Sequence, residues 1–146
     1  MDTGIKESYD AFCSKVNLSE LQITELSYKK ISDPDFAEDN SYFYDVKPQK
    51  TQYSLSSEDQ SGFTVDHTTQ FKIFSEGNDE TPDIFQLTAT FELVYECDME
   101  ISEDIFSKFK EKDVPLVCHP YLREIVSSSM TRAGLRPITI PLFRQT

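Results

Sequence analysis

The sequence predicts an α+β domain. A four-stranded antiparallel sheet carries helices packed on one face, and an extra helix precedes the first strand. Three observations carry this prediction. First, Phe85 to Met99 alternates strictly, with Phe85, Leu87, Ala89, Phe91, Leu93, Tyr95, Cys97 and Met99 on one side. Such a period of two belongs to a strand with one covered face, and fifteen residues of it span about 50 Å. Second, strand-like segments follow one another with turn residues between them, which gives hairpins and hence antiparallel pairing. Third, apolar residues recur at helical spacing before the first strand and after the last.

The elements follow in chain order. Ile5, Tyr9, Phe12 and Val16 are spaced by four, three and four, an amphipathic helix that Asn17 can end. A helix this short needs something to dock on. Leu21 to Ile31 reads as a strand whose phase reverses between Ile23 and Leu26, so a bulge is expected near Glu25. After the break at Asp33-Pro34-Asp35 come Tyr42-Phe43-Tyr44 and Val46, then Pro48, which favours a sheet edge or a strand end. Gln52 to Ser56 extends this pairing, and Ser57 to Gly62 is a turn. Phe63 to Ser75 alternates, with Val65, His67, Thr69, Phe71 and Ile73 on one face. Glu76 to Asp83 holds Gly77, Asn78 and Pro82, a hairpin loop longer than the tight types.

Two helices are predicted beyond the strands. The first runs from Ile101 to Asp113, with Ser102 as N-cap, Glu103 and Asp104 in the first turn, and Phe106 and Phe109 on its buried face. Pro115 stops it. The second begins at Pro120, where the missing N–H is one that a helix start leaves unpaired. Its apolar positions are Tyr121, Leu122, Ile125, Val126, Met130 and Ala133, with Tyr121, Ile125 and Met130 expected to pack on a sheet. Gly134 supplies the left-handed cap and Pro137 prevents continuation. The 146 residues form one domain, residues 1–146, with no repeat and no low-complexity linker.

Composition narrows the function. The net charge is −12, unevenly spread. Pro115 to Thr146 holds four arginines against one glutamate, +3, and the remainder holds 10 basic and 25 acidic residues, −15. Such an acidic surface argues against a nucleic-acid partner and suits solubility or a basic partner. No apolar run reaches the ~20 residues of a membrane span, and MDTGIKESYD does not read as a signal peptide. Cys13, Cys97 and Cys118 are odd in number and widely spaced, as reduced thiols of a cytoplasmic protein.

Catalytic chemistry finds little support. His67 sits on the apolar phase of a strand, and Asp66 beside it points the other way. Cys118 and His119 are adjacent, but residues side by side at a helix start diverge, and His119 reads as a cap. The carboxylate clusters lack the spacing of a calcium site, and four scattered glycines make no phosphate loop. The sequence describes no enzyme, metal site or cofactor. What it has in excess is eleven Phe and seven Tyr. In Tyr42-Phe43-Tyr44 at least one ring must face away from the core, which points to a protein-binding groove or a subunit interface.

The stretch HPYLREIVSSSMTRAGLRPITI resembles the signature of the SecB family of export chaperones. In that family the main helix opens on an aromatic-Pro-Tyr-x-Arg-Glu run and continues to an Arg-x-Gly-(aromatic or Leu)-x-Pro turn before a short apolar strand. The matching residues are Pro120, Tyr121, Arg123, Glu124, Arg132, Gly134, Leu135 and Pro137. The strands from Leu21 to Met99 fit the family's four-stranded sheet. The resemblance implies an ATP-independent holdase, a homotetramer built as a dimer of dimers, that binds unfolded client polypeptides in long apolar grooves. Candidate groove residues are Tyr42, Phe43, Tyr44, Val46, Phe63, Leu116 and Val117. His119 departs from the family's aromatic, and the chain stops at LFRQT without the family's further C-terminal helix. Lys30 and Gln86 stand at two positions where export members carry acidic residues that dock the SecA motor, which weighs against SecA as a partner. The N-terminal helix resembles instead the SecB-like chaperones of toxin–antitoxin pairs, which hold an exposed segment of an antitoxin. Delivery of preproteins to SecA, and a non-chaperone adaptor role, are the alternatives.

Overall fold

The computed structural model describes residues 2–32, 42–55, 62–75, 83–97 and 101–136, with residues 2–8, 42 and 75 described as backbone. The elements run helix α1 (Asp2–Lys15), strands β1 (Asn17–Lys30), β2 (Tyr42–Leu55), β3 (Gly62–Ser75) and β4 (Phe85–Glu96), and helix α2 (Glu103–Arg132). The strands form one antiparallel sheet in the order β1-β4-β3-β2. The predicted α+β class and four-stranded sheet are therefore present. The hairpin order holds for β2, β3 and β4 but not for β1, which pairs with β4 across the sheet. This is a Greek-key order, three consecutive strands with another returning beside them. Its cause lies in β4. Every second residue of that strand is buried, so it takes a central place, whereas Pro48 is tolerated in β2 because β2 is an edge.

Three bulges keep the apolar residues on one face. In β1 the register shifts between Leu18 and Glu20 and again between Ile23 and Glu25. The extra residues are Ser19 and Thr24, whose hydroxyls donate to the Val94 and Thr90 carbonyls at 3.1 and 3.4 Å. The second shift is the one expected near Glu25, and it brings Leu21, Ile23, Leu26 and Tyr28 to the same side. In β2 the shift falls between Pro48 and Lys50, where Pro48 has no N–H to give the ladder. The alternation predicted to Met99 pairs only as far as Glu96. Both neighbouring strands begin opposite that residue, at Asn17 and Gly62, so Cys97 is buried but outside the ladder. Met99 and all but the last residue of each predicted turn, Ser57 to Gly62 and Glu76 to Asp83, lie outside the described residues; Gly62 itself opens β3.

The largest difference from the sequence reading concerns the helices beyond the strands. One 30-residue helix, α2, replaces the predicted pair, and Pro115 and Pro120 lie inside it. Pro120 is not a first residue, and His119 is not a cap. Each proline removes an i→i−4 bond, leaving the Glu111 and Leu116 carbonyls without that donor, at a cost of about 3 kcal/mol apiece. Opposing this, Ile105, Phe109, Val114, Cys118, Leu122, Val126 and Met130 are all buried, at steps of four or five residues. Burying each large apolar side chain contributes about 1.5–3 kcal/mol, so a stripe running through both prolines outweighs the bonds they remove. The same stripe corrects the expected packing residues: Met130 is buried and Ile125 half-buried, but Tyr121 is 43% exposed.

Both ends of α2 are capped as expected. Ser102 accepts from the Ile105 N–H at 3.2 Å. At the other end Gly134 has φ +80°, its N–H bonds the Thr131 carbonyl at 3.1 Å, and the Leu135 N–H bonds the Met130 carbonyl at 2.9 Å. These two bonds make a Schellman cap closed by buried Met130 and Leu135. Pro137 and the tail beyond lie outside the described residues.

Candidate functional site

The helices cover the middle of one sheet face and leave its two margins open. On β3 and β4 the covered side holds Phe63, Val65, Phe71, Phe85, Leu87, Phe91 and Leu93, all buried. The register places Tyr44, Val46, Pro48, Thr51, Tyr53 and Leu55 of β2 on this same side, paired with Ile73, Phe71, Thr69, His67, Val65 and Phe63. A trench runs between this edge strand and α2. One cavity of about 300 Å³ is lined by Pro48, Gln49, Lys50, Thr51, Lys110, Glu111 and Pro115. The next, about 150 Å³, is lined by Val46, Pro48, His67, Thr69, Pro115, Cys118, His119 and Leu122. They share Pro48 and Pro115, so the two prolines face one another across a continuous hollow. The outer edge of β2 pairs with no strand among the described residues, which leaves backbone donors and acceptors beside the trench.

The trench floor is chemically quiet. His67 is 2% exposed, and its Nδ1 lies 2.7 Å from the Thr51 hydroxyl. Burial pulls its pKa down to about 4, so the ring is neutral at pH 7. Burial pushes the Cys118 thiol up to about 12, so it stays protonated and is a poor nucleophile. Among the described residues no group of His, Cys, Asp or Glu could hold a metal ion. Around His67 and Cys118 the floor thus offers apolar surface and a few uncharged hydrogen-bonding groups, while Lys50, Lys110 and Glu111 line the other cavity, a mixture that suits a segment of polypeptide.

The sequence-predicted groove residues are only partly gathered here. Tyr44 is exposed and Val46 half-buried, and both face the trench side, with the Tyr44 ring 5.9 Å from Phe71. Phe43 faces the opposite side of the sheet, stacked 6.0 Å from Phe74. Tyr42 pairs with Ser75 through its backbone. Phe63 is 1% exposed, and no client reaches it in this arrangement, because Phe12 of α1 lies against it at 5.8 Å. Leu116 is exposed, two residues from both Val114 and Cys118 of the buried stripe, so it lies away from the sheet; Val117 packs partly on the core. Of the motif residues, Pro120, Tyr121, Glu124, Arg132 and Gly134 are exposed and Arg123 is half-buried. Lys30 and Gln86 lie on opposite faces of the sheet, because Lys30 pairs with buried Phe85 and Gln86 with Lys29.

The opposite margin carries a second open surface. Leu18, Ile23, Leu26 and Tyr28 of β1 lie on the helix-bearing side, yet each is exposed, whereas Leu21 between them packs partly on the core.

No family model matches the chain, and no curated protein does either. Among solved structures it is similar to a Mycobacterium tuberculosis SecB-like chaperone in complex with a ChAD peptide from the HigA1 antitoxin, at 17% identity and TM-score 0.74. That match covers 95% of this chain and 99% of the other. It is also similar to a Streptococcus agalactiae protein of unknown function, at 11% identity and TM-score 0.47, over 88% of this chain and 98% of that one. The four-stranded sheet and the two helices are thus those of the SecB-like chaperone fold.

Proposed function

We propose that this protein is an ATP-independent holdase that binds extended, apolar segments of client polypeptides in the trench between β2 and α2. The observation that carries the reading is the trench itself: a hollow with an apolar half at Val46, Cys118 and Leu122 and a charged half at Lys50, Lys110 and Glu111, beside a strand edge unpaired among the described residues, on a fold shared with a chaperone solved with an antitoxin peptide. An extended segment lying along β2 would add a strand, with backbone hydrogen bonds giving affinity and the hollows taking alternate side chains. The client is a segment of an antitoxin, as in toxin–antitoxin–chaperone systems. Delivery of preproteins to SecA is the alternative reading; Lys30 and Gln86 lie on opposite sheet faces and so do not form one docking surface that could decide it. The protein works in the cytoplasm without metal, cofactor or turnover; no described helix is long and apolar enough to cross a membrane.

It assembles as a homotetramer, a dimer of dimers. Two separate surfaces support this: the apolar row on the β1 edge, and Leu116 and Tyr121 on the exposed side of α2. Light scattering by a reduced, unfolded model substrate, with and without the protein, tests the holdase reading. Suppression of aggregation at stoichiometric tetramer is expected, and none would refute a general holdase. A pull-down with SecA then separates the roles, firm binding returning the protein to export. For the assembly, Leu26→Lys is expected to reduce the mass in solution, and an unchanged mass would exclude the β1 edge as an interface.

A further inference from the structure

Among its described side chains, Tyr9 to Lys15, helix α1 meets the body through one side and one polar hub. Tyr9 and Phe12 are buried while Asp10, Ala11, Ser14 and Lys15 are exposed. The Tyr9 hydroxyl donates to the Asp113 carboxylate of α2, and the Cys13 thiol lies 3.6 Å from the same oxygen. The Lys108 ammonium sits 5.7 Å from the Tyr9 ring centroid. Beneath, Phe12 fills a socket of body residues, 5.3 Å from Phe109 edge-on and 5.8 Å from Phe63. Tyr95 backs the socket, stacked on Phe63 at 5.1 Å and edge-on to Phe109 at 5.1 Å. Its hydroxyl is buried without a hydrogen-bond partner, a cost that the closed arrangement leaves unrelieved.

The socket adjoins one end of β2. Leu55, more than half exposed, pairs with Phe63, and the Tyr53 ring lies 4.3 Å from Phe106 and 6.5 Å from Phe63. Phe63 is therefore shared between Tyr53 of β2 and Phe12 of α1, so a segment lying along this end of β2 passes within one side chain of the socket. A helix of 14 residues is marginal once detached, so displacing it releases chain entropy as well as uncovering the rings.

We infer that the Phe12 socket is a client subsite for an aromatic side chain, and that α1 is its resident competitor, displaced by a bound segment that brings a Phe or Tyr of its own. This rests on the holdase reading. Phe63, buried here, then becomes part of the client surface when α1 leaves. Apparent affinity scales with the fraction of molecules whose socket is open, so loosening the hub tightens aromatic clients and fixing it weakens them.

The test uses the full chain with Asp113→Cys, which places a thiol within reach of Cys13, while Cys97 and Cys118 are buried. The probe is a short fluorescein-labelled unstructured peptide with one phenylalanine among aliphatic residues, beside its alanine counterpart, read by anisotropy. The reduced protein is expected to prefer the phenylalanine peptide about tenfold, a difference of about 1.4 kcal/mol. The oxidised protein, its cross-link verified by mass, is expected to show no preference. Equal preference in both redox forms overturns the inference and leaves the holdase reading standing. Binding of neither peptide in either form overturns the holdase reading and this inference with it. Tyr9→Phe supplies a variant without new chemistry: it is expected to tighten the phenylalanine peptide several-fold and leave the alanine peptide unchanged. Equal effects on both peptides also overturn the inference.

Discussion

Replacing Pro115 by alanine tests the most consequential feature of the fold, the single helix through two prolines. In a helix interior proline is about 3 kcal/mol less favourable than alanine. Part of that is offset here. The Pro115 ring is half-buried and lines both trench cavities, and losing two ring methylenes costs about 0.8 kcal/mol each when fully buried. Allowing roughly half of that burial, about 0.8 kcal/mol is lost, so Pro115→Ala is expected to stabilise the protein by about 2 kcal/mol, chiefly by restoring a donor to the Glu111 carbonyl. At about 2–4 °C per kcal/mol for a chain of this size, Tm rises by about 4–8 °C in calorimetry. Far-UV circular dichroism should show unchanged or slightly greater helix content. A lower Tm together with reduced helix content would refute the reasoning, since it would mean that two helices meet at Pro115 and need its rigid turn.

Other expectations follow from single residues. His67 is buried neutral with its pKa near 4 against 6.5 unfolded, so its stabilisation is present above pH 6.5 and is lost as pH falls toward 4. The loss is about 3 kcal/mol, and urea melts across that window should show it in the native chain and not in His67→Gln. Gly134→Ala meets no atom within 4 Å, so its cost is purely the left-handed backbone, about 1 kcal/mol by thermal melt. Val126→Asp, at a fully buried position, should unfold the subunit, whereas Tyr121→Ser should shift stability by less than about 0.5 kcal/mol in a monomeric variant. Tyr44→Ser should weaken binding of an unfolded client about tenfold without lowering Tm, and unchanged anisotropy titrations would remove Tyr44 from the trench.

Much of the fold was legible because period and phase are local properties. The alternation in Phe63 to Ser75 and from Phe85 onward depends only on which side of a strand each residue takes, and both became strands with that face buried. The phase reversal between Ile23 and Leu26 located a bulge, because only an extra residue returns an apolar row to its own face. Two features were not legible. The pairing of β1 with β4 is decided by which strand gains most from two neighbours, a property of the whole sheet. The unbroken α2 was hidden by weighting Pro115 and Pro120 above the stripe Val114, Cys118, Leu122, Val126 and Met130. That stripe is printed in the sequence at steps of four, and its burial decides the outcome.

The candidate site was less legible than the fold for a related reason. Exposed aromatics are the conspicuous feature of the sequence, but in Tyr42-Phe43-Tyr44 alternation alone sends neighbouring rings to opposite faces, so Phe43 and Tyr44 cannot line the same trench. The residues that shape the hollow are Pro48, Pro115, Thr51 and Leu122, none of them conspicuous as a binding residue. The prolines did carry a signal. Pro48 marks an edge strand with free backbone groups, and Pro115 strips a hydrogen bond from the helix opposite. A trench between those two residues has one wall, the outer edge of β2, that can accept a strand. Phe63 makes the complementary point: named as a groove residue, it is sealed by Phe12, which also belongs to the sequence's own helical pattern. The aromatic surplus is therefore spent partly on the sheet's covered face and partly on a helix lying over rings that its departure would uncover.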